Sequence, residues 1–220
     1  MNVKTRKLTV AAMFSALAFA TAAIFNIIPI PLVPSLPFLH YDPKDVLITL
    51  CGFILGPMYA VLVSLVDAMI EMSVSSTGVI GALMNFLSSC IYACSAALLY
   101  KRMRNVKGAV LGLIVSVAST TCFMLLWNYL ISPLYMGISR EAVGAMLFPA
   151  FLPFNLVKCS INAGIVLLVY KPIITILRRI GLVEKNNKSV TVANTALALT
   201  IGVLLVAAGL AAVWILNRGL

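Results

Sequence analysis

Lys158 stands in the middle of a long apolar stretch. A charged residue at such a position is the strongest candidate in the sequence for a functional side chain. Asn155 precedes it by three residues and Asn162 follows it by four, so a helix would place all three on one face. A charged side chain inside a membrane is costly and by default marks function. An ammonium offers hydrogen-bond donors, and an asparagine offers a donor and an acceptor together. These residues predict recognition of a polar ligand; the alternative is a lysine that extends to the membrane surface beside asparagines that join helices.

The helices that must position these side chains follow from the composition. Of 220 residues, 62% are hydrophobic and 10% charged, and the mean hydropathy is +1.10. Soluble domains carry about 25% charged residues, and disordered chains are poor in apolar residues, so both classes are excluded. We therefore predict an all-α polytopic membrane protein. Apolar segments that could cross a bilayer as helices cover residues 8–28, 46–66, 81–100, 108–131, 147–170 and 190–216.

The basic residues predict the orientation of these helices. Twelve of the sixteen Lys and Arg residues lie in three places, which the positive-inside rule assigns to the cytoplasm: residues 4–7, 101–107 and 171–188. A single crossing by residues 46–66 would put the second cluster outside. A break at Gly56-Pro57, as two short spans or a re-entrant hairpin, keeps it inside. We predict six spans and a C-terminal seventh, with a cytoplasmic N-terminus. The net charge of +10 is then an orientation signal and does not indicate nucleic-acid binding.

The polar residues of the spans and of the outer loop lie mainly on the predicted outer side. This set contains Asn26, Tyr41, Asp45, Asp67, Glu71, Asn85, Asn128 and Asn155. The inner halves hold small hydroxyls such as Ser116 and Ser119. A channel or proton relay needs polar groups through the full membrane thickness. The pattern therefore predicts a pocket that faces outward and is closed below.

Aromatic residues crowd the same level of the predicted helices. They are Phe38, Tyr41, Phe86, Trp127, Tyr129, Tyr135, Phe148, Phe151 and Phe154. An interfacial aromatic belt explains any one of them, but together with three asparagines the set suits a flat heterocycle with amide-like edges. The proline-rich loop, residues 29–43, is stiff and apolar, and we expect it to act as a lid.

Neither a metal site nor catalysis is predicted. The five cysteines lie in apolar segments, and His40 is the single histidine, so no group has the spacing of metal ligands. We expect no catalytic residue and no cofactor. A function from another class, an integral-membrane enzyme such as a lipid-head-group transferase, would need paired carboxylates or a metal. Asp67 and Glu71, one helical turn apart, are the candidate pair.

The chain needs a partner if it is to drive transport. It contains no GxxxxGK[ST] phosphate-binding loop. Ala12, Ala16 and Ala20 form a stripe of small residues along the first span, which permits close helix contact. That contact is either with a partner helix or inside the monomer.

Several motifs resemble those of a known family. The strongest are NYLISPLY at residues 128–135 and LPFNLVK at residues 152–158; GFILGP at 52–57, GALMNF at 81–86 and YDPKD at 41–45 accompany them. With the alanine stripe, they make the chain similar to the substrate-binding S components of energy-coupling-factor (ECF) vitamin transporters, most closely the riboflavin-specific type. The resemblance covers about residues 8–177.

The resemblance implies a fold, a ligand and partners. Six helices would enclose one riboflavin near the outer surface, under the loop between the first two helices. Implied ligand contacts are Asn128, Asn155, Lys158, Asn85 and Tyr41. The stripe of Ala12, Ala16 and Ala20 would face a membrane-embedded coupling subunit, and two cytoplasmic ATPase subunits would drive import across the bacterial plasma membrane as the S component topples in the bilayer. An S component for another vitamin or heterocycle is the nearest alternative.

The C-terminal segment departs from this pattern. The resemblance implies a substrate-binding membrane domain at residues 1–180. A polar cytoplasmic linker at residues 181–189 and an additional transmembrane helix at residues 190–220 would follow it. The extra helix is either a structural appendage or a regulatory or partner helix.

Overall fold

The computed structural model describes residues 3–33, 36, 39–73, 78–179 and 192–218. Within these ranges the chain is almost entirely helical. The elements are α1 (Val3–Ile27), α2 (Lys44–Leu55), α3 (Pro57–Met72), α4 (Gly78–Met103), α5 (Val106–Met136), α6 (Arg140–Met146), a π-helical turn (Leu147–Phe151), α7 (Leu152–Arg179) and α8 (Val192–Arg218).

The predicted all-α membrane architecture is confirmed by the length and apolarity of these helices. Five helical stretches of the described chain are long and apolar enough to cross a membrane: Val3–Ile27, Gly78–Met103, Val106–Met136, Arg140–Ile173 and Ala196–Leu216. Helices α2 and α3 are shorter, with 12 and 16 residues. At 1.5 Å per residue they span roughly 18 and 24 Å, less than the ~30 Å hydrocarbon core.

The predicted break at Gly56-Pro57 is also confirmed. Gly56 ends α2 and begins α3 with φ of 109°, a conformation that residues with a Cβ rarely adopt. Pro57 then occupies the first position of α3, where its missing N–H costs no helical hydrogen bond. The two helices therefore form a sharp antiparallel hairpin.

The contacts of this hairpin show its direction in the bundle. Near its turn, the Phe53 ring stacks on Tyr100 of α4 at 4.6 Å and meets Tyr170 of α7 edge-on at 5.6 Å. These tyrosines immediately precede Lys101 and Lys171. The Gly56 turn therefore lies at the same end of the bundle as two of the basic clusters, as the predicted topology requires.

The helix that contains Lys158 is longer than its sequence pattern predicts. The apolar pattern begins at residue 147, whereas helical structure runs from Arg140 through a π-helical turn to Arg179. Pro149 lies inside that turn and has no N–H to donate. Such π-bulges are frequent at functional sites. The bulge lies directly before the turn that contains Asn155.

Helix α8 extends the bundle beyond the six helices of the predicted core. It packs against α7 and α5. A Cβ added to Gly164 of α7 would lie 2.8 Å from the carbonyl oxygen of Gly202 of α8, so the two backbones approach closely at a pair of glycines, as is common between membrane helices. The prediction of a helix near residues 190–216 is confirmed, while the predicted linker, residues 181–189, lies outside the described residues.

Candidate functional site

A cavity of about 590 Å³ lies among α1, α3, α4, α5, α7 and the loop before α2. Four residues singled out in the sequence line it: Asn85, Asn128, Asn155 and Lys158. They come from α4, α5 and α7 and are up to 73 positions apart in the chain. The fold thus brings most of the predicted site to one space, while their role in binding stays a prediction.

Lys158 has an acidic partner that its own helix does not supply. Its Nζ lies 3.8 Å from Oδ2 of Asp45 in α2, and its side chain is 17% exposed. The hydroxyl of Ser89 in α4 donates to Oδ1 of the same carboxylate at 2.5 Å. This contact explains how an ammonium is tolerated far from either end of α7, because its charge is compensated across the bundle.

Two asparagines of the cavity wall, Asn128 and Asn155, are held in fixed orientations. Asn155 Nδ2 donates to the carbonyl oxygen of Phe151 at 2.8 Å, and Asn128 Nδ2 donates to that of Met124 at 2.7 Å. Ser132 donates to Oδ1 of Asn128 at 2.8 Å. Both carboxamides are buried. They are therefore oriented by their own helices before any ligand arrives.

Tyr41 lies behind the cavity and is not among the described residues that line it. Its hydroxyl donates to Oδ1 of Asn162 at 2.7 Å, and Asn162 Nδ2 donates to the carbonyl oxygen of Asp42 at 3.4 Å. Burial, together with the negative charges of Asp42 and Asp45, raises the pKa of Tyr41, so the phenol stays a hydrogen-bond donor. Tyr41 and Asn162 therefore fasten the loop to α7.

Lys44 is the buried residue that the sequence analysis missed. Its side chain is 2% exposed, and its Nζ lies 2.5 Å from Glu71 Oε2, 3.2 Å from Asp67 Oδ2 and 3.6 Å from Asp42 Oδ2. Its backbone N–H also donates to Asp42 Oδ1 at 3.0 Å. We call Lys44, Asp42, Asp67 and Glu71 the Lys44 cluster. In sequence, Lys44 stands between Asp42 and Asp45, and nothing in that spacing indicates that its side chain is buried.

The Lys44 cluster gives Asp67 and Glu71 a structural role in place of the catalytic role considered from the sequence. These carboxylates, which the sequence offered as the pair of an enzyme, surround a buried ammonium. Asn85 Nδ2 also donates to Glu71 Oε2 at 2.9 Å. The cluster therefore connects α2, α3 and α4 and orients a cavity-lining amide.

The start of α2 sets the depth of the cavity. Asp45, in the first turn of α2, reaches Lys158, and Tyr41 reaches Asn162, one turn further along α7. The first two residues of α2 are buried. The loop therefore descends into the bundle before α2 begins, which explains why α2 is short and why the polar residues lie toward one end.

The aromatic residues of the sequence prediction divide between the cavity and the surface. Tyr135, Phe151 and Phe154 line the cavity, together with Phe19, which the sequence analysis did not select. Phe148 is 75% exposed, as expected for the surface belt. Phe38 lies outside the described residues.

The described part of the loop before α2 folds over one side of the cavity. Leu32 N–H donates to the carbonyl oxygen of Leu39 at 3.0 Å, and Tyr41 N–H donates to that of Ile30 at 2.8 Å. Leu32 and Leu39 are buried in one cluster with Phe151 and Phe154, and Leu39 and His40 line the cavity. This position fits the predicted role of a lid.

The alanine stripe of α1 faces away from the bundle. Ala12, Ala16 and Ala20 are exposed, whereas Phe14 and Ala18 are buried in the core. The sequence left open whether the stripe contacts a partner helix or packs inside the monomer. The exposure of the three alanines does not fit packing inside the monomer. A surface of small residues is left uncovered on α1.

We predict that the Lys44→Met variant folds poorly. The substitution leaves three carboxylates without their cation, two of them buried, and breaking a buried ion pair costs about 3–5 kcal/mol. The midpoint of thermal unfolding, followed by circular dichroism in detergent, should fall sharply.

A control variant and a double variant test the reason for this loss of stability. Lys107→Met removes an exposed lysine and should leave the midpoint unchanged. Adding Glu71→Gln to Lys44→Met removes one unpaired charge and should recover part of the loss. A Lys44→Met protein that unfolds with the wild-type midpoint would show that the cluster does not stabilise the fold.

Comparisons with known proteins agree with this architecture. The family model "ECF transporter, substrate-specific component" matches residues 6–170. A riboflavin transporter, RibU, of Staphylococcus aureus is 29% identical over 80% of this chain and 95% of its own length. A riboflavin transporter, FmnP, of Bacillus subtilis is 29% identical over 71% and 85%.

A solved structure is similar in fold as well. It is described as the S component of a bacterial ECF transporter, and it is 28% identical with a TM-score of 0.66 over 80% of this chain and 99% of that chain. The chain therefore belongs to the family of ECF transporter substrate-specific components, which are transporter subunits and not enzymes.

Proposed function

We propose that this chain binds riboflavin as the substrate-specific subunit of an ECF importer. The observation that carries the proposal is the cavity in which Asn85, Asn128, Asn155 and Lys158 meet aromatic side chains. Its volume, about 590 Å³, lies within the roughly 300–1,000 Å³ of small-molecule sites. The two relatives compared above are named as riboflavin transporters.

The chemistry of riboflavin suits this lining. The flavin ring system is flat and ends in an imide, whose two carbonyl oxygens flank one N–H. Asparagine carboxamides can both donate to and accept from such an edge, and Lys158 can only donate. Tyr135, Phe151 and Phe154 offer ring faces or edges to the flat system. Riboflavin is here the transported ligand, and the loop of residues 29–43 would close over it.

We predict that the purified protein quenches riboflavin fluorescence at micromolar concentration or below. Asn155→Ala and Lys158→Ala should each weaken binding roughly tenfold to a hundredfold, because a buried hydrogen-bond partner left unsatisfied costs about 1–3 kcal/mol. Titration of flavin fluorescence measures both effects.

The control is Lys107→Ala, an exposed lysine at the far end of the bundle, which should bind like wild type. Competition with biotin, thiamine and folate separates riboflavin from other vitamins. Absence of quenching would reject riboflavin, and tight binding by both cavity variants would reject the proposed site.

We further propose that Ala12, Ala16 and Ala20 contact a membrane-embedded coupling subunit that works with two cytoplasmic ATPase subunits. The support is their exposure on α1 and the close helix approach that small residues permit. Ala16→Leu should leave riboflavin binding intact and abolish uptake by cells that also express an ECF coupling module. Ala208→Leu, at an exposed alanine of α8, is the matched control and should transport normally. Unimpaired uptake with Ala16→Leu would contradict this role.

The orientation that we propose places the N-terminus in the cytoplasm and the C-terminus outside the plasma membrane. Its support is the location of the Gly56 turn beside Tyr100 and Tyr170, at the end rich in Lys and Arg. In intact cells an impermeant antibody should reach a C-terminal tag, and should reach an N-terminal tag only after permeabilisation. Tags that become accessible on the same side would show that the number of crossings is wrong.

A further inference from the structure

The charges that border the cavity are unbalanced. In the Lys44 cluster, three carboxylates surround one ammonium, so two negative charges are uncompensated in the formal count. Two of the carboxylates, Asp42 and Glu71, line the cavity themselves. Their excess charge is therefore presented to whatever the cavity holds.

No cation on the described cavity wall offsets this excess. Lys158 is the one Lys or Arg among the lining residues, and Asp45 already pairs with it. The imidazole of His40 also lines the cavity and is neutral in the formal charge. The N-terminus of α2 contributes the equivalent of roughly half a positive charge. The balance stays negative.

From this balance we propose that Asp42 and Glu71 make the site selective for uncharged ligands, so that a flavin with a free polyol chain binds and its phosphate monoester is disfavoured. The inference rests on the proposed function and concerns the same site. A phosphate monoester carries about −1.5 to −2 charge at pH 7. Like charges brought together in an enclosed site repel each other, and salt screens this repulsion only weakly where solvent is excluded. The riboflavin tail has hydroxyl groups, which can donate hydrogen bonds to carboxylates.

The geometry separates this role from simple stabilisation. Asp67 contacts Lys44 but is not among the lining residues, whereas Asp42 and Glu71 contact Lys44 and line the cavity as well. Asp42 is also partly exposed, at 17% for its side chain. Removing the charge of Asp42 or Glu71 therefore changes the field inside the cavity and keeps a side chain of nearly the same shape.

The test is the ratio of two dissociation constants measured on the same protein. Riboflavin and riboflavin 5′-phosphate are titrated into the purified full-length chain, with flavin fluorescence as the readout. Wild type should bind the phosphate at least about tenfold more weakly than riboflavin. Asp42→Asn and Glu71→Gln should each reduce the ratio several-fold, mainly by tightening the phosphate.

Glu141→Gln is the matched control, since Glu141 is exposed in α6 and is not among the cavity residues; its ratio should equal that of wild type. If Glu71→Gln does not fold, Asp42→Asn, in the loop, decides alone. Equal affinities of the wild type for both flavins, or a ratio that the wall variants leave unchanged, would overturn the selectivity while riboflavin binding still stands. Failure of both flavins to bind would reject the proposed function together with this inference.

Discussion

Burial of the Lys44 ammonium is the constraint on which the cavity depends. An isolated charge cannot remain inside a low-dielectric bundle, so Lys44 requires carboxylates from elements that would otherwise be free to separate. Asp42 supplies one from the loop, and Asp67 and Glu71 supply two from α3. The start of α2 is thereby tied to the end of α3. The hydrogen bond from Asn85 to Glu71 extends this connection to α4 and the cavity wall.

The buried start of α2 also determines how deep in the bundle this helix begins. A loop that carries buried backbone into a membrane protein must satisfy its polar groups internally. The contacts of Tyr41 and Asp42 with Asn162, and the hydrogen bond that Asp42 accepts from the Lys44 N–H, do so. Because α2 begins there, space remains above it for a ligand, and the helices below pack through small residues such as Ala93, Ala96 and Ala97. The short length of α2 thus accounts for both the cavity above it and the close packing below it.

Most of the fold could be predicted from the sequence, but the pairing of charges could not. Apolar length, basic loops and the Gly56-Pro57 break act locally, so composition and spacing reveal them. Asn155 and Lys158 were selected because polar side chains on one face of an apolar helix are costly unless used. Lys44 was missed because Asp67 and Glu71 are distant from it in sequence. They approach its ammonium only when α2 and α3 fold into a hairpin. Phe19 was missed for a related reason, since an aromatic residue in an apolar helix gives no sign of which space it faces.

Helix α8 shows how the bundle can be enlarged without disturbing this arrangement. It lies beyond the region matched by the family model, residues 6–170, and it packs on α7 and α5. The close approach at Gly164 and Gly202 lets it do so without displacing α7, whose other contacts position Asn155 and Lys158. None of the described residues of α8 lines the cavity, and α1, with its exposed alanines, lies outside its contacts. The added helix therefore covers a face that neither the ligand site nor the alanine stripe uses.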